Sequence, residues 1–519
     1  MTSSIQPPHA TAVFAPWEPP PATGAPWPWV GLIGLVLIIQ MTLIWTHAPW
    51  HDELQAVVLA RDTNTLSAWY TNFRYEGHPP LWHLLLKLML VFFNERTALR
   101  AATTLVALTT AWLIFRKSPF GPWTKLALGL NYFIFFEYAV IARGYCLGVV
   151  FTFAAIAWRA HPISWLFAAL IPQAGANMIF FPGVFAAIML AEKRWSWLGA
   201  TLCSLGVIVA AAWMAPAPDV ETWGILVRDY LPVLDRFGRT VFGAGNIVLP
   251  LKLDGSLAGW SDQSGASIWL SVIIGSQMPV MIYFITRSNP LTATATATFT
   301  IVTYALSTFG VELSLRHFGF IVIMVIACQW VDVENGRPLN RLAGLWFAIL
   351  ALGGIGAALD ARGAPFSPSL VTADHIARTI EPDRLLIPLD TLLGVEMTAL
   401  IGRPTFNVTN QCLQTFVQWK GPVFRIPNKE AFAMDEKTMA KKLKALEILK
   451  AAAARAGGKA LLILDEIVVD SFHWIADDPA LSYERYIFTG GRRITMGRYL
   501  YRLDVPPDPN PTPIPSCTN

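Results

Sequence analysis

Apolar stretches alternate with short polar breaks through the first 360 residues, and the alternation stops there. Trp29 to Trp45 is long enough to cross a bilayer as one helix, since about 17–25 apolar residues make a comfortable span. Further apolar segments lie at 79–93, 98–115, 124–141, 145–158, 162–173, 177–191, 195–214, 266–286, 291–310, 317–331 and 342–359. Several are short, which predicts broken or tilted helices around a cavity, because irregular backbone at membrane depth is tolerated only where protein or water covers it. The pattern predicts an α-helical polytopic membrane protein with about 11–13 membrane helices.

From about residue 361 to 519 Asp, Lys and Pro return, with β-rich runs at Arg384–Leu389, Ala460–Leu464 and Tyr499–Leu503. A helical pattern at 435–455, stopped by Gly457-Gly458, sits between those runs, so this part reads as a soluble α/β domain. Ahead of the first span, residues 1–28 carry eight prolines and no Lys or Arg, and read as a disordered segment rather than a cleaved leader.

Composition agrees with the membrane setting: 54% hydrophobic and 14% charged residues, with 21 Trp and 30 Phe, would overfill a soluble core. A formal net charge of +4, spread between loops and tail, gives no nucleic-acid footprint. Arg116, Lys117, Lys125, Arg159, Lys193, Arg194, Arg287, Arg337 and Arg341 fall in short connections that the positive-inside rule assigns to the cytoplasm. The opposite side then holds 47–78, the stretch around 137–143, Gly175–Asn177, the long loop 215–265, Glu312–His317 and the tail. For this parity to hold, one of the two apolar segments between 79 and 115 does not cross fully, with Asn94-Glu95-Arg96 as a shallow turn. Of the five cysteines, Cys146, Cys203 and Cys328 read as buried thiols; Cys412 and Cys517 share the tail, and their pairing is left open. No Cys/His spacing resembles a zinc site.

The chemistry gathers in the outer elements. His51-Asp52-Glu53 opens the first loop and Glu76-Gly77-His78-Pro79-Pro80-Leu81 closes it. Paired acids at a membrane boundary suit proton abstraction from a sugar hydroxyl, while Arg143 and the pair Arg316-His317 suit a phosphate that leaves. Blander readings stand beside these: acids in the first turn of a helix, an Arg143 ion pair with Glu137 or another acid, and interfacial snorkelling of Arg316 with Glu312 one turn away. Trp223, Arg228, Asp229, Tyr230, Asp235 and Arg236 populate an amphipathic helix of the long loop, which either gates entry or lies on the membrane.

Together these residues resemble the lipid-dependent glycosyltransferases of the GT-C fold, in the bacterial branch akin to protein O-mannosyltransferases, aminoarabinose transferases and lipopolysaccharide-core galacturonosyltransferases. Asp52-Glu53 is similar to the acidic pair of that family's first outer loop. His78-Pro79-Pro80-Leu81, followed by a leucine-rich helix, is similar to its HPPL opening. Glu137 to Leu147 resembles an acid, Ala-Arg, Tyr and Leu pattern, with the acid standing further from the arginine than usual. Arg316-His317 resembles the Arg-Tyr or Arg-His pair that begins a late helix. The likeness covers the first 360 residues.

The resemblance implies an inverting transfer of a single sugar from a polyprenyl-phosphate donor to a lipopolysaccharide, lipid A or other surface-glycan acceptor, on the periplasmic side of a bacterial inner membrane. Asp52 would be the general base, with Glu53 shaping its pKa or binding sugar hydroxyls. Arg143, Arg316 and His317 would hold the donor phosphate, and Glu76, His78, Tyr145 and Asn177 would line the substrate site, although similar enzymes often carry a histidine near the turn that holds Asn177. Neither a cofactor nor a metal is expected. A lipid or glycan transporter or flippase, a protein O-glycosyltransferase and a non-catalytic assembly partner are the rival readings. Absence of an internal repeat and the gathering of acids in one outer loop weigh against the transporter.

Overall fold

The structure is a computed structural model, and it describes residues 27–215, 232–248, 250, 267–310, 313–363, 365–417, 436–465, 478–488 and 497–517. Of the disordered segment assigned above only residues 27 and 28 are described, and they already belong to a helix; Trp223, Arg228, Asp229, Tyr230 and Glu312 lie outside the described residues.

Six helices among the described residues are long and apolar enough to cross a membrane: Trp29–Thr46, Glu95–Lys117, Trp197–Met214, Ile268–Thr286, Leu315–Glu334 and Arg341–Gly363. The protein is therefore a multi-pass membrane protein. In chain order its helical part runs α1 (Trp27–Thr46), α2 (His51–Asp62), α3 (Leu66–Phe73), α4 (Leu81–Leu90), α5 (Glu95–Trp112), α6 (Pro122–Gly129), α7 (Tyr145–Ala157), α8 (Ile163–Leu170), α9 (Phe181–Ala191), α10 (Trp197–Met214), α11 (Val233–Gly245), α12 (Ser267–Thr286), α13 (Pro290–Ala305), α14 (Leu315–Glu334) and α15 (Arg341–Gly363).

Several of the remaining apolar segments do not make single full-length helices, whereas 291–310 is helical throughout, with α13 running directly into a wider turn over Leu306–Gly310. At about 1.5 Å per residue, the ten residues of α4 reach about half the hydrocarbon thickness, so of the two segments between 79 and 115 only the second is long enough to cross. Asn94 accepts from the Thr97 N–H and so starts α5. The apolar run at 124–141 breaks at Leu130-Asn131, where the chain leaves α6 and widens into a π-helical turn over Tyr132–Glu137. Gly354 of α15 packs there, and a Cβ on it would meet the Leu130 carbonyl at 1.9 Å. The glycine cluster of α15 is thus a packing face against the break.

Residues after α15 form a smaller layered unit with α16 (Ser369–Thr379), α17 (Thr391–Ile401) and α18 (Glu436–Arg455). Its sheet has the order β1 (Leu385–Pro388), β4 (Lys459–Asp465), β6 (Gly497–Asp504), β5 (Leu481–Phe488), parallel between β1 and β4 and antiparallel elsewhere. A two-stranded ribbon, β2 (Thr405–Asn407) with β3 (Cys412–Gln414), flanks it, and Cys412 is bonded to Cys517. Gly457 and Gly458, both at positive φ, stop α18 as the sequence predicts, with the Gly458 N–H returning to the Ala453 carbonyl.

This unit sits directly on the first outer loop, with α17 packed along α2. The Ser369 hydroxyl donates to the Pro49 carbonyl at 2.6 Å. Gln55 acts as a clasp: its amide donates to the Val417 carbonyl (2.7 Å) and accepts from the Val417 N–H (3.0 Å). As a result α2 is buried on every side from Glu53 to Ala60, so it is a core helix rather than one lying on the membrane.

Replacing Gln55 by Ala leaves two buried backbone groups of Val417 without partners, each worth about 1–3 kcal/mol. Gln55→Ala is expected to lower the thermal unfolding temperature and speed hydrogen exchange at Val417; wild-type exchange at that amide would rule the clasp out.

Candidate active site

The acids of the first loop stand at the start of α2, and their burial separates their tasks. Glu53 is fully buried, and one oxygen accepts from the Ala142 N–H at 2.6 Å while the other accepts from the Trp50 N–H at 3.1 Å, with His47 Nε2 at 2.9 Å. The bond to Trp50 closes a capping box that fixes the helix start. Glu53 is thereby consumed in tying 47–50 to 139–143 and has no oxygen turned toward an acceptor.

Asp52 remains 23% exposed at its side chain, so solvent or substrate can reach it. One of its oxygens, Oδ2, bonds Arg143 and lies 3.7 Å from Arg316; the other, Oδ1, lies 3.5 Å from His51 Nε2. The partner of Arg143 is therefore Asp52, while Glu137 instead accepts from the Tyr132 hydroxyl at 2.9 Å. Burial works against ionising Asp52, yet Arg143, His51 and Arg316 together outweigh it and hold the carboxyl well below the usual carboxylate range. The same pairing, against the opposing effect of burial, holds the Arg143 guanidinium above its ordinary value.

Each arginine is aimed by an aromatic ring. Arg143 lies over Tyr145 at 5.6 Å and Arg316 over Trp50 at 5.5 Å, distances at which a cation meets the face of the ring. The Arg316 carbonyl accepts from the Tyr138 hydroxyl at 2.5 Å, which fixes the first turn of α14 against the 138–143 stretch.

Beside the arginines runs an oriented chain of neutral donors. The Ser314 N–H can only donate, so His317 Nδ1 accepts from it at 3.0 Å and carries its proton on Nε2. That Nε2 is 2.8 Å from the Tyr145 hydroxyl. On the far side, His78 Nδ1 must donate to the Glu76 carbonyl at 2.8 Å, which leaves its Nε2 to accept from Tyr145 at 3.1 Å. These partners set the direction as His317 to Tyr145 to His78 to Glu76. Burial first, then the Arg143 guanidinium, pushes His78 down to about 4, so it is neutral at pH 7.

Of the residues singled out from the sequence, the structure brings together Asp52, Arg143, Arg316, His317, Tyr145 and His78. Glu76 accepts from the Gln55 amide at 2.8 Å and lends the chain its carbonyl. Asn177 is buried in the turn Ala176–Phe180, and no hydrogen bond joins it to this cluster; its amide Nδ2 finds no partner among the described residues. Sequence reasoning passed over His51, although it stands immediately before the acids, and Gln55, whose only signal was a polar residue within an apolar run.

A histidine held neutral by burial weakens the fold as acid is added. His78 takes up a proton near 6.5 when unfolded and only near 4 when folded, so its contribution is complete above 6.5 and is lost as pH falls toward 4, by about one kcal/mol per pH unit. The thermal unfolding temperature should therefore drop between pH 6.5 and 4, and less steeply in His78→Asn, which keeps a donor for the Glu76 carbonyl; equal slopes would exclude the assignment.

No protein-family model and no curated protein matches this chain. Among solved structures, it is similar to ArnT from Cupriavidus metallidurans in the apo state, at 13% identity and a TM-score of 0.40, over 91% of this chain and 97% of that one. The same protein bound to undecaprenyl phosphate is similar at 13% identity and a TM-score of 0.39, over 92% of this chain and 98% of that one. At such identity and score the likeness assigns neither activity nor ligand to this chain.

Proposed function

We propose that this membrane protein is an inverting glycosyltransferase of the GT-C type, moving one sugar from a polyprenyl-phosphate donor to a surface-glycan acceptor on the periplasmic side of the inner membrane. The observation that carries the reading is the convergence of Arg143 and Arg316 on one oxygen of a reachable Asp52. A guanidinium pair suits a phosphate, and a carboxylate between them suits a hydroxyl that must lose its proton.

In the reaction an acceptor hydroxyl oxygen attacks the anomeric carbon while Asp52 takes the hydroxyl proton. The bond from that carbon to the phosphate oxygen breaks on the opposite face, and its electron pair stays on the phosphate, whose charge Arg143 and Arg316 meet. His317, donating through Nε2, and Tyr145 stand beside the arginines to orient the phosphate or the sugar.

The resting ion pair also implies an order of events. With Arg143 bonded to it, Asp52 is a weak base. A donor phosphate draws the guanidiniums away, and the carboxylate regains proton affinity only once the donor is seated. Base strength and donor occupancy are thereby linked, which limits idle chemistry at an empty site.

The Cys412–Cys517 bond supports placing the tail in an oxidising compartment, in agreement with the side that the basic connections leave for it. The apolar helices around the site provide the surface that a polyprenyl chain would need.

The test compares the masses of lipid A, core saccharide and surface glycan from cells carrying the intact chain, a deletion, or Asp52→Asn. Loss of one sugar unit in the deletion, and at least about a hundredfold slower transfer in Asp52→Asn, is expected for a missing general base. Arg143→Lys should also be impaired, because an ammonium cannot replace a bidentate guanidinium. An Asp52→Asn strain with wild-type glycan would overturn the reading in favour of a transporter or an assembly partner.

A further inference from the structure

Glu396 is a fully buried carboxylate on α17, and its two oxygens face different parts of the molecule. Oε2 lies 3.2 Å from Arg498, itself 1% exposed, which also bonds Asp465 at 3.2 Å. This much is an ion triad internal to the C-terminal unit. Oε1 points the other way: it has no hydrogen-bond partner among the described residues and stands 3.8 Å from Nδ1 of His51. The other nitrogen of that ring, Nε2, is 3.5 Å from Asp52. A line of alternating charge and imidazole thus runs from Asp465 through Arg498, Glu396 and His51 to the carboxylate assigned as base.

We infer that Glu396 is a positioning residue for the transfer at Asp52, acting through His51, so that the C-terminal unit is part of the active site and not an appendage to it. The inference rests on the reading of Asp52 as the general base. His51 is the only side chain on this line outside the C-terminal unit other than Asp52, and its orientation has to satisfy carboxylates on two sides. Four residues around it are held by the same unit. The Ser369 hydroxyl fixes the Pro49 carbonyl, Phe366 packs against His47 at 5.0 Å and Trp50 at 6.4 Å, and Gln55 clasps Val417 one turn later. Each contact comes from residues beyond 363, and each fixes a residue within four positions of His51.

A buried carboxylate needs a reason, because desolvation raises the cost of its charge and pushes Glu396 upward against the pull of Arg498 and His51. An ion triad serving only the inner packing of the unit would be satisfied with both Glu396 oxygens turned to Arg498. Turning one oxygen out of the unit toward His51 gives up part of that pairing, and what it meets is the neighbour of the base.

If the line works as a unit, its members act together. Removing the Glu396 charge frees the His51 ring, and Asp52 Oδ1 loses a fixed neighbour; removing His51 does the same from the other end. The second change should then add little to the first. A purely structural Glu396 would weaken the fold independently of what stands at position 51.

The experiment uses the full-length protein in membrane vesicles from deletion cells, which contain the native donor and acceptor, and follows the gain of sugar mass on the glycan. Glu396→Gln, His51→Gln, the double variant and Asp52→Asn are compared across the pH range in which histidine titrates. Each single variant should slow transfer about tenfold, with the double variant little worse than either, and both should move the acid limb of the pH profile in the same direction. Multiplying effects in the double variant, or a Glu396→Gln protein with wild-type rate and pH profile, would overturn the inference. Should Glu396→Gln fail to fold, Glu396→Asp replaces it in the same cycle, since it keeps an anion for Arg498 while withdrawing it from His51. Asp52→Asn separates the two failures: if that variant transfers normally, the assignment of the base has fallen, whereas if it is inactive while the cycle is additive, only the role of Glu396 has.

Discussion

A carboxylate in an apolar bundle must be met by donors or cations, and three consecutive residues at the start of α2 organise this molecule by making or meeting that demand in three directions. Glu53 draws in the backbone of 47–50 and 139–143, Asp52 draws in two guanidiniums from distant parts of the chain, and His51 faces the C-terminal unit. Because α2 is also buried from Glu53 to Ala60, Glu53 cannot turn to water instead, while Asp52 keeps one partly open side. The broken apolar segments serve the same end. The chain leaves regular α-helical geometry between 130 and 144 and presents the Ala142 N–H and the Arg143 side chain to two adjacent acids, which a continuous α-helix through that stretch could not do.

Much of this was legible from residue order. Charged side chains are expensive in apolar surroundings, so Asp52, Arg143 and Arg316 stood out against their neighbours, and the double proline before Leu81 marked a helix start. The positions of the long helices and of the sheet strands β1, β4 and β6, though not their edges, follow from the apolar pattern, and Gly457-Gly458 marks the end of α18. Other features were not legible, for one reason. Glu396, Arg498 and Asp465 look like ordinary surface charges of an α/β unit, because nothing local tells a buried ion triad from a solvated one. Gln55 pairs with Val417 across 362 positions, and only the docked tail gives that polar residue its purpose. The partner of Arg143 was open for the same reason: Glu137 is near in sequence, but the wide helical turn over Tyr132–Glu137 directs it to Tyr132, while Asp52 comes 91 positions earlier.

The neutral chain from His317 to His78 shows how tautomers are fixed by backbone groups that can only give or only take. A Ser314 N–H at one end and a Glu76 carbonyl at the other leave Tyr145 a single consistent role, accepting from one imidazole and donating to the next. These rings add no charge of their own beside the two arginines, so in the proposed transfer the guanidiniums would meet the anion while imidazole and phenol would orient it.

That separation bears on how a strongly acidic carboxyl can act as a base. At about 4 Å a guanidinium stabilises a carboxylate by about 4 kcal/mol when the effective dielectric constant is near 20, so the loss of one such contact moves proton affinity by several orders of magnitude. Asp52 has two contacts of this kind on a single oxygen. A phosphate that competes for the same guanidiniums does not need to touch Asp52 to strengthen it as a base. In the proposed transfer the arginines would serve as both the phosphate site and the switch on the base, with the His51 side of Asp52 holding the carboxylate in place during the exchange.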